Sequence, residues 1–229
     1  HVVIIHHAPL SKSEKDAVAF LESAAGPEFD KEANLALHLL DASSDLQPAP
    51  RWQSAVSSFK PDDPARLLLY YPASAKTESP LWTGTLTVQN AQRIVDSPLR
   101  RKIVEELLSG TSTVWLLVES GNEDADQVTH ERLRRFLKQA SEETELPDGV
   151  IPLDQAESLR SGPDEGPVDM EDVLRSSVPL KIHFSTISVS RSDPDEEIFL
   201  SMLLNNSPRM RSASRRITIS SRSRATVWW

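Results

Sequence analysis

Six histidines and no cysteine set the chemistry open to this 229-residue chain. Without a thiol it has no disulfide, no thiolate metal site and no cysteine nucleophile. Thiol–disulfide exchange, which requires a thiolate, is excluded. Imidazole remains, as a metal ligand or a proton carrier near neutral pH. His6 and His7 end an apolar run, Val2-Val3-Ile4-Ile5, and His38 lies on the next expected strand. Neighbouring residues on a strand point to opposite faces, so His6 and His7 do not chelate one ion together. His38 beside either of them would complete a pair. Because no acid sits at ligand spacing, His6, His7 and His38 stand as metal candidates only, and no metal or other cofactor is assigned. His1 would chelate copper through its amine and ring if it were the mature terminus.

Other reactive patterns are missing from the sequence. The seven glycines build neither G-x-G-x-x-G nor a Walker A loop, so a nucleotide-phosphate cradle is not expected. There is no G-x-S-x-G elbow for a hydrolase serine. His130-Glu131 lacks the second histidine of H-E-x-x-H and reads as a solvated helix turn. The acids of Glu119–Asp126 and Glu142–Glu145 either collect cations or, as expected, form solvated helix ends, Asp124 and Asp126 favourably near a helix N-terminus. Asp62-Asp63 and Asp193/Asp195 read as turn and cap residues. No catalytic residue is nominated, and the chain leans away from being an enzyme. Trp82, between Pro80 and Gly84, is expected to lid the core or line a ligand pocket.

The elements that would position these residues are legible as periods. Ser11-x-x-Glu14 is a capping box, and Ala17, Phe20, Leu21 and Ala24 continue as a helical stripe closed by Gly26-Pro27. A strand at Leu35–Leu40 completes a β-α-β unit. A short helix is expected near Trp52–Phe59, a strand at Arg66–Tyr71, a connector through Pro80–Gly84, and a helix capped by Thr87 that runs to Val95. Ser97-Pro98 opens a helix expected to bury Ile103, Val104, Leu107 and Leu108. Val114–Val118, apolar throughout, reads as a strand covered on both faces. The helix after it, near Asp124–Ser141, should bury Leu133, Phe136, Leu137 and Ala140 and present Arg132, Arg134, Arg135 and Lys138 outward. Residues 142–179, rich in Glu, Asp, Pro and Gly, read as a mobile insertion. A strand at Lys181–Ser190 and a helix opened by Asp193-Pro194-x-Glu196, with Ile198, Phe199, Met202 and Leu203 inward, follow.

The charge is uneven. Net charge is −9, with 38% hydrophobic and 26% charged residues. Residues 207–229 hold six arginines and no acid, leaving 19 basic against 34 acidic groups before them, a body of −15. Such a body disfavours nucleic acid as a partner, except through the basic tail. That tail reads either as a basic arm or as an unpacked, disordered end. No run reaches the roughly 18–20 apolar residues that span a bilayer.

Tyr70-Tyr71-Pro72, Pro80-Leu81-Trp82-Thr83-Gly84, Asp96-Ser97-Pro98-Leu99-Arg100-Arg101 and Val114-Trp115-Leu116-Leu117-Val118-Glu119-Ser120-Gly121 carry a resemblance. Over about residues 1–205 the chain resembles a family of uncharacterised bacterial proteins that are similar to exported thioredoxin-like proteins. Members begin with a short cysteine-containing segment and continue past the position of Pro208 into a Pro-x-Phe-Gly strand; here neither is present. The resemblance implies a periplasmic or exported location and assigns no catalytic role.

The expectation is thus an α/β protein with a mainly parallel sheet flanked by helices, made of two degenerate thioredoxin-like β-α-β units. The first spans 1–72 and the second 73–206, with the tail at 207–229. Its expected role is a non-catalytic binding or scaffold protein of the bacterial envelope, with a protein as partner. The alternative is a metal-binding protein or enzyme that uses the strand-end histidines.

Overall fold

A computed structural model describes residues 1–26, 33–44, 48–75, 77–144, 151–152, 173–174 and 182–205. The chain divides into two units, His1–Ser97 with the segment from Pro194 onward, and Pro98–Asp193.

In the first unit, strand β1 (Val2–His6) leads into helix α1 (Lys12–Ala24), strand β2 (Leu37–Asp41) and helix α2 (Pro50–Ser57). Strand β3 (Arg66–Leu69), a 3₁₀ turn at Ala73–Ala75, strand β4 (Trp82–Thr85) and helix α3 (Val88–Val95) follow. The sheet order is β2-β1-β3-β4. β1 and β2 are parallel, whereas β3 is antiparallel to both β1 and β4. The fold is α/β as expected, but this sheet is mixed rather than mainly parallel. The apolar pattern conceals strand direction, because β3, buried between two neighbours, shows the same continuous apolar run whichever way it points.

Alternation along the strands divides the core between two faces. Val2, Ile4, Leu67 and Leu69 pack with Ala17 and Leu21 of α1 and with Ala91 and Ile94 of α3. Val3, Ile5, Leu68 and Tyr70 pack on the other face with Trp52 and Phe59. Each fully buried Leu or Ile stabilises by about 1.5–3 kcal/mol. The α1 capping box forms as read: Glu14 N–H donates to Ser11 Oγ at 3.3 Å, and Ser11 N–H donates to Glu14 Oε2 at 2.8 Å. Thr87 caps α3 through the N–H of Asn90 at 3.1 Å.

The second unit holds helix α4 (Pro98–Leu108), strand β5 (Thr113–Glu119), helix α5 (Glu123–Glu143) and strand β8 (Phe184–Ser190). β5 and β8 are parallel from Thr113↔Phe184 to Glu119↔Ser190. Two-residue strands β6 (Ile151–Pro152) and β7 (Val173–Leu174) also pair in parallel. Otherwise the expected insertion at 142–179 lies mostly outside the described residues, as does the whole tail at 207–229.

The coverage of this unit departs from expectation. Every residue of β5 is half-buried rather than enclosed. In α4 only Leu99 is buried, while Val104, Leu107 and Leu108 are exposed. In α5 only Leu137 is buried and Phe136 is 59% exposed. The amphipathic stripes are in the sequence, but β5 and β8 cover them only in part among the described residues.

Helix α6 (Glu197–Leu204) closes the first unit. Ile198 enters the core beside Leu67 and Ile94, and Met202 packs on its margin. Arg93 and Asp195 pair at 2.6 Å, Asn205 Nδ2 donates to Leu81 O at 3.3 Å, and Tyr71 O–H donates to Met202 O. The boundary therefore differs from the one drawn after Pro72. Residues 73–97 belong with the first unit because β4 pairs with β3 and α3 packs on α1. The chain then returns to that unit at Pro194.

Candidate functional site

A group of chemistry-bearing side chains lies under α2. His1 precedes β1 and extends its ladder, since His1 N donates to Tyr70 O at 2.8 Å and Tyr70 N to His1 O at 2.9 Å. On β2, His38 stands in register with Val3. The two imidazoles meet, His1 Nδ1 and His38 Nε2 being 2.9 Å apart. One ring must donate the proton and the other accept it, so the contact holds for one proton between the two nitrogens and fails for two.

Trp52, from α2, packs against His38 with ring centroids 4.4 Å apart. Arg51 stacks over both Trp52 and Tyr70, at 5.7 and 5.3 Å, and donates to Tyr71 O at 2.8 Å. Burial lowers the His38 pKa, and the positive charge of Arg51 lowers it further. Burial raises the Tyr70 hydroxyl, with Arg51 opposing. The cluster thus favours neutral imidazole, a state able to relay a proton or ligate a metal.

The nominated histidines do not assemble together. His6 ends β1 opposite Asp41, three register positions from the Val3–His38 pair and so about 10 Å along the strand. The His6 Nδ1–H donates to Ala8 O at 3.1 Å. His7 lies in the loop after it. Asp41, the acid beside this end, accepts from the hydroxyl of Ser43 at 2.6 Å and from its N–H at 2.8 Å, which hold its carboxyl below the usual range. The structure gives His38 to His1 instead. No group of three or more His, Asp or Glu side chains able to hold a metal occurs among the described residues.

Both strand–loop–helix turns are closed by their own side chains. Ser11 and Glu14 occupy the first helix start. At the second, Asp126 accepts from Ser120 N–H at 2.9 Å, Ser120 Oγ–H at 2.8 Å and Gly121 N–H at 3.0 Å. These bonds, led by the Ser120 N–H, hold the Asp126 carboxyl below its ordinary pKa. Asn122 Oδ1 caps α5 through Ala125 N–H at 3.0 Å. Gly121, at φ +89°, makes the tight turn that aims these N–H groups at Asp126.

One feature escaped the sequence reading. A cavity of about 330 Å³ lies between α5 and the start of β8, lined by Arg134, Lys138 and His183 among others. The basic residues of α5 were legible as a helix face. Their apposition to His183, far along the chain, leaves no local signal. No family model, curated protein or solved structure matches this chain.

Proposed function

We propose that the chain is a non-catalytic, thioredoxin-like binding or scaffold protein. The observation that carries this reading is the state of the two loops. Where a thioredoxin-like protein keeps its thiols, at the helix start after the strand, this chain has no cysteine, and capping side chains engage the backbone N–H groups. The first unit supports the reading with a β-α-β half joined to a β-β-α half, in the order β2-β1-β3-β4 with β3 reversed. Its placement in the bacterial envelope rests on the sequence resemblance alone.

The test is an insulin-reduction assay with dithiothreitol as reductant. The expected rate equals that of dithiothreitol alone; acceleration that grows with protein concentration overturns the reading.

The His1–His38 contact supports a second reading, a metal-binding protein. A metal would have to part the two nitrogens, since ligands about 2.0–2.1 Å from one ion stand more than 2.9 Å apart. Elemental analysis of protein dialysed against zinc or copper decides it. Stoichiometric metal that His38→Ala removes favours this reading, and none refutes it.

A further inference from the structure

One stripe of α5 turns toward β8. Arg134, Leu137, Lys138 and Ser141 recur at i, i+3, i+4 and i+7, the spacing that aligns side chains on a helix face. Leu137 is buried, and Ser141 Oγ donates to Ile182 O at 2.8 Å, which fixes this face against the strand's approach. His183, Phe184, Ser185 and Thr186 form the facing wall. The result is an open concavity with two cations one helical turn apart, Arg134 and Lys138, and the carboxylate of Glu142 on the helix side, and the start of β8 on the other. Its volume, about 330 Å³, lies at the small end of ligand pockets.

Its two cations are weakly committed. Arg134 has no ion pair among the described residues. Lys138 reaches Glu142 only at 3.8 Å, with the two side chains 79% and 64% exposed, a pairing worth little.

We propose that this cavity binds a small organic anion. Arg134 and Lys138 hold its carboxylate or phosphate against the strand wall. Guanidinium presents paired donors to such oxyanions and ammonium adds a point charge. Leu137 and Phe184 supply apolar contact for the ligand's carbon frame. The occupant is small because the cavity is small and because the rest of the chain is acidic. A body of −15 repels a long polyanion, whereas two local cations attract a compact one. The proposal goes beyond the scaffold reading and stands whether or not the fold is thioredoxin-like.

Calorimetric titration of the full chain with citrate, inorganic phosphate and, as a neutral control, glycerol tests it, with the His183 ring resonances followed by NMR. The expected result is saturable binding of citrate, phosphate or both, a shifted His183 signal and no response to glycerol. Which anion binds tells carboxylate from phosphate ligands. Arg134→Gln and Lys138→Gln should each weaken binding about tenfold or more, as loss of one charge-assisted hydrogen bond implies. Arg132→Gln removes the same charge from α5 outside the cavity and should leave affinity within about twofold at fixed ionic strength. Because these side chains are solvent-facing, the variants should keep the parent's circular dichroism spectrum. Absence of saturable binding by both anions overturns the proposal. So does binding that Arg132→Gln weakens as much as Arg134→Gln, or binding that survives both cavity substitutions.

Discussion

His1 and His38, 37 residues apart in the chain, share a hydrogen bond of 2.9 Å between ring nitrogens. The parallel register of β1 and β2 makes the meeting possible, and Trp52 roofs it. The positive group facing it is Arg51, while Tyr70 is the nearby hydroxyl with a raised pKa.

This environment gives the first unit a pH-dependent stability. The folded-state pKa of His38 is lowered from its ordinary 6.5, with burial as the leading cause. Between 6.5 and the lowered value the unfolded chain holds more protons than the folded one. Stability therefore falls as pH drops through that window, and His38 adds no further loss below it. Urea midpoints measured at pH 7.5 and 5.5 should decline more in the parent than in His38→Gln. Equal declines would remove His38 as the cause. Trp52 fluorescence, compared with a Trp52→Phe variant, should report the same transition locally.

The reciprocal Ser11–Glu14 cap supports α1 at the first loop. Ser11→Ala removes the side-chain acceptor for Glu14 N–H and should cost about 1 kcal/mol. Ser11→Asp should recover most of it, since aspartate caps equally well. Denaturant midpoints for the three proteins check this, and an unaltered midpoint in Ser11→Ala would show that solvent replaces the cap.

Such caps were readable in the sequence because their partners lie three residues apart, as with Ser11–Glu14 and Thr87–Asn90. The strands β1, β2, β3 and β5 were readable as apolar runs, and β8 as an imperfect alternation. Relations set by tertiary pairing were not. Pro80–Gly84 read as a connector because Pro and Gly usually break strands, yet Trp82–Thr85 becomes a strand by pairing with β3. The direction of β3, the return of α6 to the first unit and the His1–His38 contact all depend on register or crossover, which no local period encodes. Val104, Leu107 and Leu108 mark the opposite failure: their stripe announces burial, but burial needs a partner element as well as a pattern.

Gly84 makes the turned-in surface of β4 possible. A methyl group at this position would overlap the indole of Trp82, two residues back on the same strand face. Trp82 packs against the core, so the ring cannot swing away without loss. Gly84→Ala should destabilise by about 1–3 kcal/mol, the usual range for overpacking. The near-ultraviolet circular dichroism from tryptophan should change with it. In a Trp82→Leu background the same substitution should cost less, and a double-mutant cycle reads that coupling. Simple additivity would mean that the two positions do not compete for space.

Ile198 tests whether α6 belongs energetically to the first unit. It is 2% exposed and lies in the core formed by β1, β3, α1 and α3, although more than 100 residues separate it from α3. Ile198→Val removes one methyl and should cost about 0.5–1.5 kcal/mol, whereas Ile198→Ala should cost about 2–5 kcal/mol because a cavity remains. Site placement decides where the loss appears. Native-state hydrogen exchange should quicken at the amides of Ile4 and Leu68, inside the first sheet, and leave Leu117 of β5 unaffected. If Leu117 quickened to the same extent, the two units would unfold as one. If Ile4 and Leu68 stayed protected, α6 would be a loose appendage rather than a closing element of the core.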